Sequence, residues 1–284
     1  MKKRILWSVI VLVTLCTSIK AQSIDTLKSS PIINRAVSYG VGYANIFDTY
    51  LSPQEYKGID FRISRETMKM TKILDGNVSI QNYLQANLSY THNRVDNNNS
   101  FSGLLNCNYG LHYQFRITSN FKLLAGGLID SNIGFIYNLR NGNNPASAKF
   151  YINIAPSGLA IWNAKIKNYP ITLRYQVNVP IVGLMFSPHY GQSYYEIFSL
   201  GNDSGVIKLT SLHNQPSIRQ FFSVDLPINK VKMRVSYICD IQQSKLNQIK
   251  THSYTHTFMF GFVTEMHKLK PKESSTFPTS LKAY

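Results

Sequence analysis

From residue 101 to residue 117, apolar and polar positions alternate. Phe101, Gly103, Leu105, Cys107, Tyr109, Leu111, Tyr113, Phe115 and Ile117 hold the odd places. Ser102, Leu104, Asn106, Asn108, Gly110, His112, Gln114 and Arg116 hold the even ones. Successive side chains of a strand point to opposite faces, so this row makes one apolar and one polar surface. Soluble strands run about five or six residues. A bilayer-spanning strand needs about nine to eleven, with apolar side chains toward lipid and polar ones toward a lumen. The stretch therefore predicts a stave of a membrane-spanning β-barrel.

The same alternation recurs over 36–45, 58–67, 78–91, 121–139, 150–166, 171–185, 217–228, 231–241 and 253–264. That gives ten strands, and bacterial barrels use an even number. Asp75-Gly76-Asn77, Ser119-Asn120, Asn168-Tyr169-Pro170 and Asn229-Lys230 mark short turns at one end. Connections near 51, 95, 143, 200 and 246 are expected to be longer. Pro156 and Gly158 predict a bulge or kink within 150–166. The expected fold is all-β, a closed antiparallel transmembrane β-barrel over 35–268. Twelve strands would result if 194–200 and 206–212 formed a further spanning hairpin.

Residues 1–21 read as a secretory signal peptide, with Lys2, Lys3 and Arg4 before an apolar run and Ala21 before a cut at Gln22. Leu15 is too large to precede a lipid-bearing Cys16. A periplasmic segment would then cover 22–34 and a disordered tail 269–284. Losing Lys2, Lys3, Arg4 and Lys20 lowers the formal charge from +16 to +12. Such a basic chain could meet nucleic acid, but a secreted chain without a recognition motif argues against it. Cys107 and Cys239 share the apolar parity of their strands, which predicts two lipid-facing thiols and no disulfide. The destination expected is the outer membrane of a Gram-negative bacterium. The partners expected are outer-membrane lipid, lipopolysaccharide and the barrel-assembly machinery, with small anions as further candidates.

On this register the lumen receives Arg62, Arg116, Lys122, Lys149, Lys165, Arg174, Arg219, Lys232 and Arg234, opposed by Asp60, Glu66, Asp130, Asp225 and Asp240. Buried charges need partners, and barrels near eight strands are filled by their own side chains. The plain expectation is an ion-pair network that plugs the lumen. The sharper one is a small anion-preferring passage, with Arg62, Arg116, Lys122, Arg174, Arg219 and Arg234 as its binding row.

One segment, 187–201, has a site-like composition, gathering Ser187, His189, Tyr190, Ser193, Tyr194, Tyr195 and Glu196. A serine nucleophile, histidine base and acidic orienter could be drawn from Ser193, His189 and Glu196. Against this, tyrosines at this height belong to the interfacial girdle. Residues close together on an extended segment diverge, and no G-x-S-x-G elbow exists. His112 reads as a hydrogen-bonded interior residue, and His252 and His256 as interfacial. No zinc, calcium or phosphate-loop pattern is found, so neither metal nor cofactor is expected.

Leu184-Met185-Phe186-Ser187-Pro188, the run from Tyr190 through Phe198, and Tyr254-Thr255-His256 leading into 258–263 resemble a Gram-negative outer-membrane family. That family is catalogued as domain of unknown function 3316. The likeness covers most of the mature chain. It implies a secreted barrel of about this size with no established activity, and so no catalytic residues to carry over. Such chains commonly finish on an aromatic residue of the last strand, whereas here the chain continues well past Lys268. The expected role is non-enzymatic, structural, binding or minor anion permeation. The alternative is an outer-membrane acyl hydrolase of lipid or lipopolysaccharide working from 187–201.

Overall fold

A computed structural model of the chain describes residues 32–142, 144–167, 169–228 and 231–267. The expected signal peptide at 1–21, residues 22–31 of the expected N-terminal segment and the expected tail at 269–284 lie outside the described residues.

Twelve strands form one sheet: β1 (Ile32–Asp48), β2 (Ser52–Met70), β3 (Val78–Asn93), β4 (Asn99–Arg116), β5 (Phe121–Asn138), β6 (Ala146–Ile166), β7 (Tyr169–Asn178), β8 (Val182–Phe186), β9 (Ile207–Ser211), β10 (Ile218–Ile228), β11 (Val231–Leu246) and β12 (Ile249–His267). Neighbours from β1 to β7 pair in chain order. β7 then pairs with β10, β10 with β11, β11 with β12, and β12 with β1. This is a closed antiparallel transmembrane β-barrel of ten strands. β8 and β9 are the two extra strands.

The closure can be followed residue by residue. Ala148 faces Phe135, then Gly103, Leu88, Phe61, Val41, Phe258, Tyr237, Phe222, Tyr175 and finally Ala160, back on β6 but twelve residues further along. That stagger for ten strands tilts the staves by about 40°, within the range of closed barrels. Strong coiling brings backbones close on the inner face. A Cβ on Gly126 would lie 1.9 Å from the Leu111 carbonyl oxygen, so only glycine fits there.

Alternation places the residues as the sequence predicts. Tyr39, Val41, Ile59, Phe61, Ile63, Leu88, Ile133, Ile152, Phe258 and Phe260 stand outward and exposed, while the inner face is buried and mostly polar, with small apolar clusters. On β2, Lys57 and Arg65 bracket Ile59, Phe61 and Ile63. Eight residues at about 3.3 Å on a strand tilted by about 40° rise about 20 Å, close to the apolar band of a membrane barrel.

Four expectations need correction. Residues 194–198 form a helix and β9 is only five residues long, so 194–212 adds no spanning hairpin. The strand expected over 171–185 is broken between β7 and β8. Asn178 faces Ser157 while Val182 faces Ile154, so the broken stave carries one extra residue. The reason is Pro180, which cannot donate to the ladder. Outward parity changes there, from Tyr175 to Val182 and Leu184. The bulge expected at Pro156 and Gly158 therefore sits in the facing stave, and β6 pairs with β5 without a shift. Finally, the connections at 49–51 and 247–248 are tight turns, because β1, β2, β11 and β12 extend beyond the expected strands. Asn247 and Gln248 both take positive φ there, as a two-residue hairpin turn requires.

Candidate functional site

Two layers of ion pairs cross the lumen between the mouth where β1 begins and β12 finishes, periplasmic on the sequence expectation for 22–34, and the opposite, extracellular mouth. In the layer nearer the periplasm, Glu66 on β2 receives both Arg174 terminal nitrogens at 2.7 Å, one per carboxylate oxygen. It also receives Arg234 Nη1 at 2.6 Å and Gln81 Nε2 at 2.6 Å. Arg234 reaches Asp225 with Nε at 2.6 Å and Nη2 at 2.8 Å. Above it, Gln81 and Gln176 exchange amide bonds, Gln176 donates to Ser157, and His112 Nε2 meets the Ser157 hydroxyl at 2.8 Å.

In the second layer, Arg219 donates from Nε to Asp240 at 3.0 Å and from Nη1 to Asp130 at 3.1 Å. Arg62 lies 3.5 Å from Asp60 and 3.8 Å from Asp240, and donates to Gln85 and Thr255. Asn87, Ser89 and Thr257 donate to Asp60. Asn106 and Asn132 donate to Asp130. All of these charged groups are buried, and in these layers five carboxylates face four guanidiniums. The excess of basic over acidic residues that motivates an anion passage is thus absent from the buried layers.

Arg116 and Lys122 are placed differently. They are register partners on β4 and β5 at the periplasmic end, and both line a vestibule of about 710 Å³. Neither has a carboxylate partner among the described residues. In the same vestibule Lys232 is bound to Glu265 at 2.6 Å. Toward the extracellular end Lys149 pairs with Asp48 at 2.7 Å, and the interior there holds cavities of about 60 Å³ and about 10 Å³. Lys165 is exposed at the periplasmic rim.

The 187–201 segment folds over the extracellular mouth. Its helix α1 (Tyr194–Phe198) sends Tyr194 against a buried cluster of Ala44, Ile46, Tyr50, Leu51, Ile136 and Ile249. Tyr194 Oη accepts from the Ala148 backbone at 2.6 Å, and Tyr50 Oη donates to the Gln192 carbonyl at 2.7 Å. Phe186, Tyr194 and Phe198 stack with centroids 6.3 Å apart. Burial pushes the Tyr50 phenol up to about 12, helped by Tyr194, Asp48 and Glu196 nearby, and burial likewise raises Tyr194.

The candidate nucleophile, base and acid of the alternative reading do not assemble. Ser193 is the N-cap of α1, its Oγ accepting from Glu196 N and donating to Glu196 Oε2 at 3.0 Å. Glu196 Oε2 also accepts from Ser193 N at 2.6 Å, which closes a capping box. The backbone and hydroxyl of Ser193 hold the Glu196 carboxyl below its ordinary value. His189 Nε2 instead faces the Ser204 carbonyl at 3.2 Å. The S-x-x-E spacing at 193–196 already carries this capping signature. Tyr50, whose hydroxyl bonds to the Gln192 carbonyl, carries no sequence signal because that partner lies 142 residues away.

His252 stacks on Tyr254 and His256 meets the Tyr237 hydroxyl, both outward. Cys107 and Cys239 are free thiols on outward positions of β4 and β11. Among the described residues no group of His, Cys, Asp and Glu could hold a metal ion.

The family model described as Protein of unknown function (DUF3316) matches residues 8–273. No curated protein matches the chain. Among solved structures, the transport unit of the autotransporter AIDA-I from Escherichia coli aligns at 9% identity, over 91% of this chain and 97% of that one, with a TM-score of 0.45. The outer membrane protease OmpT from Escherichia coli aligns at 6% identity, over 86% and 99%, also at 0.45. Neisserial surface protein A aligns at 11% identity, over 81% and 96%, at 0.33.

Proposed function

The chain belongs to the family described as Protein of unknown function (DUF3316), and from that premise we propose that it is a non-conducting, non-enzymatic outer-membrane barrel with a binding role at its periplasmic mouth. The observation that carries this reading is the charge matching of the lumen. Each of the four buried guanidiniums lies against a carboxylate, so the plug offers no free positive charge to a passing anion. Opening such a plug would strand buried charges, at several kcal/mol each. Arg116 and Lys122 are the remaining members of the expected binding row, and they face open volume with their charge unspent. Small anions are their natural ligands.

The outer-membrane assignment draws support from the apolar band and the even stave number. It also accords with the signal peptide expected at 1–21. Planar-bilayer recording of the refolded protein tests the function. Silence is expected, with folding confirmed by heat-modifiable gel mobility. Steady anion-selective openings would overturn the reading and make the arginine row a path.

The acyl-hydrolase alternative would need Ser193 free to attack and His189 beside it. The capping box and the His189–Ser204 contact both work against that. Lipid turnover by the folded barrel, lost on Ser193→Ala, would restore it.

A further inference from the structure

Seven arginines lie in the described strands. Five of them, Arg62, Arg116, Arg174, Arg219 and Arg234, take inward positions, while Arg35 and Arg65 take outward ones. Arg35 faces Thr67 across β1 and β2 and Arg65 faces Val37, so the two guanidiniums are diagonal neighbours. Such a diagonal spans about 7–8 Å, which lets both reach one group placed between them. Neither has a hydrogen bond or a carboxylate partner among the described residues, and Arg35 Nε is shielded with no partner. Both line an outward groove of about 690 Å³ that also presents Thr67, Asn82, Leu84 and Tyr109.

On a lipid-facing wall, water is scarce and a bare guanidinium is costly away from the interface. Arg65 sits at the periplasmic edge of the band, just below Ile63. What meets it there is lipid headgroup, and guanidinium pairs bind phosphate oxygens in two-point fashion. We propose that Arg35 and Arg65 form a binding site for the phosphate of a glycerophospholipid of the periplasmic leaflet. Thr67 and Asn82 supply further donors, and Leu84 and Tyr109 lie along the acyl chain. The inference rests on the outer-membrane reading and adds a lipid ligand to it.

The test is native mass spectrometry of the barrel purified from membranes in mild detergent. Wild-type protein is expected to retain one glycerophospholipid. The Arg35→Gln/Arg65→Gln variant should retain at least tenfold less, and Lys57→Gln/Arg94→Gln, altered at the opposite end, should match wild type. Equal retention in all three overturns the site. Heat-modifiable mobility reports separately whether each barrel is folded, so failure of the site is distinguishable from failure of the barrel. If the glutamine variant does not fold, wild-type protein in phosphatidylglycerol vesicles is compared with the same protein in vesicles of an uncharged galactolipid. A higher unfolding midpoint with the phosphate-bearing lipid supports the site, and equal midpoints overturn it. Stabilisation by inorganic phosphate in lipid-free detergent, without lipid retention, would assign the arginines to a free anion and overturn the lipid reading.

Discussion

At Glu66 two arginines from two other staves converge within 2.7 Å of one carboxylate. Glu66→Gln keeps the shape but leaves Arg174 without a counter-charge in a buried layer. Removing one partner of a buried pair costs about 3–5 kcal/mol, and urea unfolding of the refolded variant in detergent should show a loss of that size. Ser193→Ala removes only a helix cap, worth about 1 kcal/mol. Its effect should stay local, as faster amide exchange at Glu196 with the barrel transition unmoved. The inward positions of Glu66, Arg174 and Arg234 were legible from alternation alone. Their partnership was not, because it depends on which residues a twelve-residue stagger brings to one height, and no local pattern encodes that.

The lid over the extracellular mouth is the element whose stability should follow pH. Tyr50 has its phenol raised from 10.0 to about 12. A raised acid favours its neutral form in the fold, so its contribution is whole below pH 10 and is lost as pH climbs through about 12. Glu196 is the opposite case. Its carboxyl is lowered, so the capping box holds above the ordinary carboxylate range and loosens as pH falls through the depressed value. Hydrogen exchange over 192–198, followed across pH, should therefore show protection that declines at both extremes. Tyr50→Phe, which deletes the bond to the Gln192 carbonyl, should lower it throughout. Flat protection would mean that neither group latches the lid. From the sequence this element read as a possible catalytic segment, since Ser, His and Glu close together suit a cap as well as a triad. Only geometry separates the two: the Glu196 carboxylate turns back onto its own N-cap.

For the whole molecule, outward parity makes a prediction that no single strand can. Cys107 and Cys239 lie on staves far apart around the barrel, and both face out. In intact membranes a water-soluble maleimide should label neither, whereas a membrane-permeant reagent should reach both. Brisk aqueous labelling of either would contradict the register. The ten-stave closure and the polar interior were readable from periodicity, because a two-residue repeat carried over long strands has few other uses. The split of one stave into β7 and β8 was not, since Pro180 interrupts a run whose apolar residues simply change parity.

The Glu66 cluster also constrains the order in which the chain can come together. Glu66 is synthesised early, on the second stave, yet its counter-ions arrive with Arg174 on the seventh strand and Arg234 on the eleventh. Arg62, which has Asp60 on its own stave, gains its second carboxylate, Asp240, only near the end of the chain. A half-built wall inserted alone would expose naked charges to hydrocarbon, so partial insertion is uphill and threading in from one end is penalised. The last hairpin, β11 and β12, both seals the cylinder against β1 and delivers Arg234 and Asp240. Biogenesis should therefore be all-or-none, with the nascent sheet held at the membrane surface until its C-terminal staves are in hand.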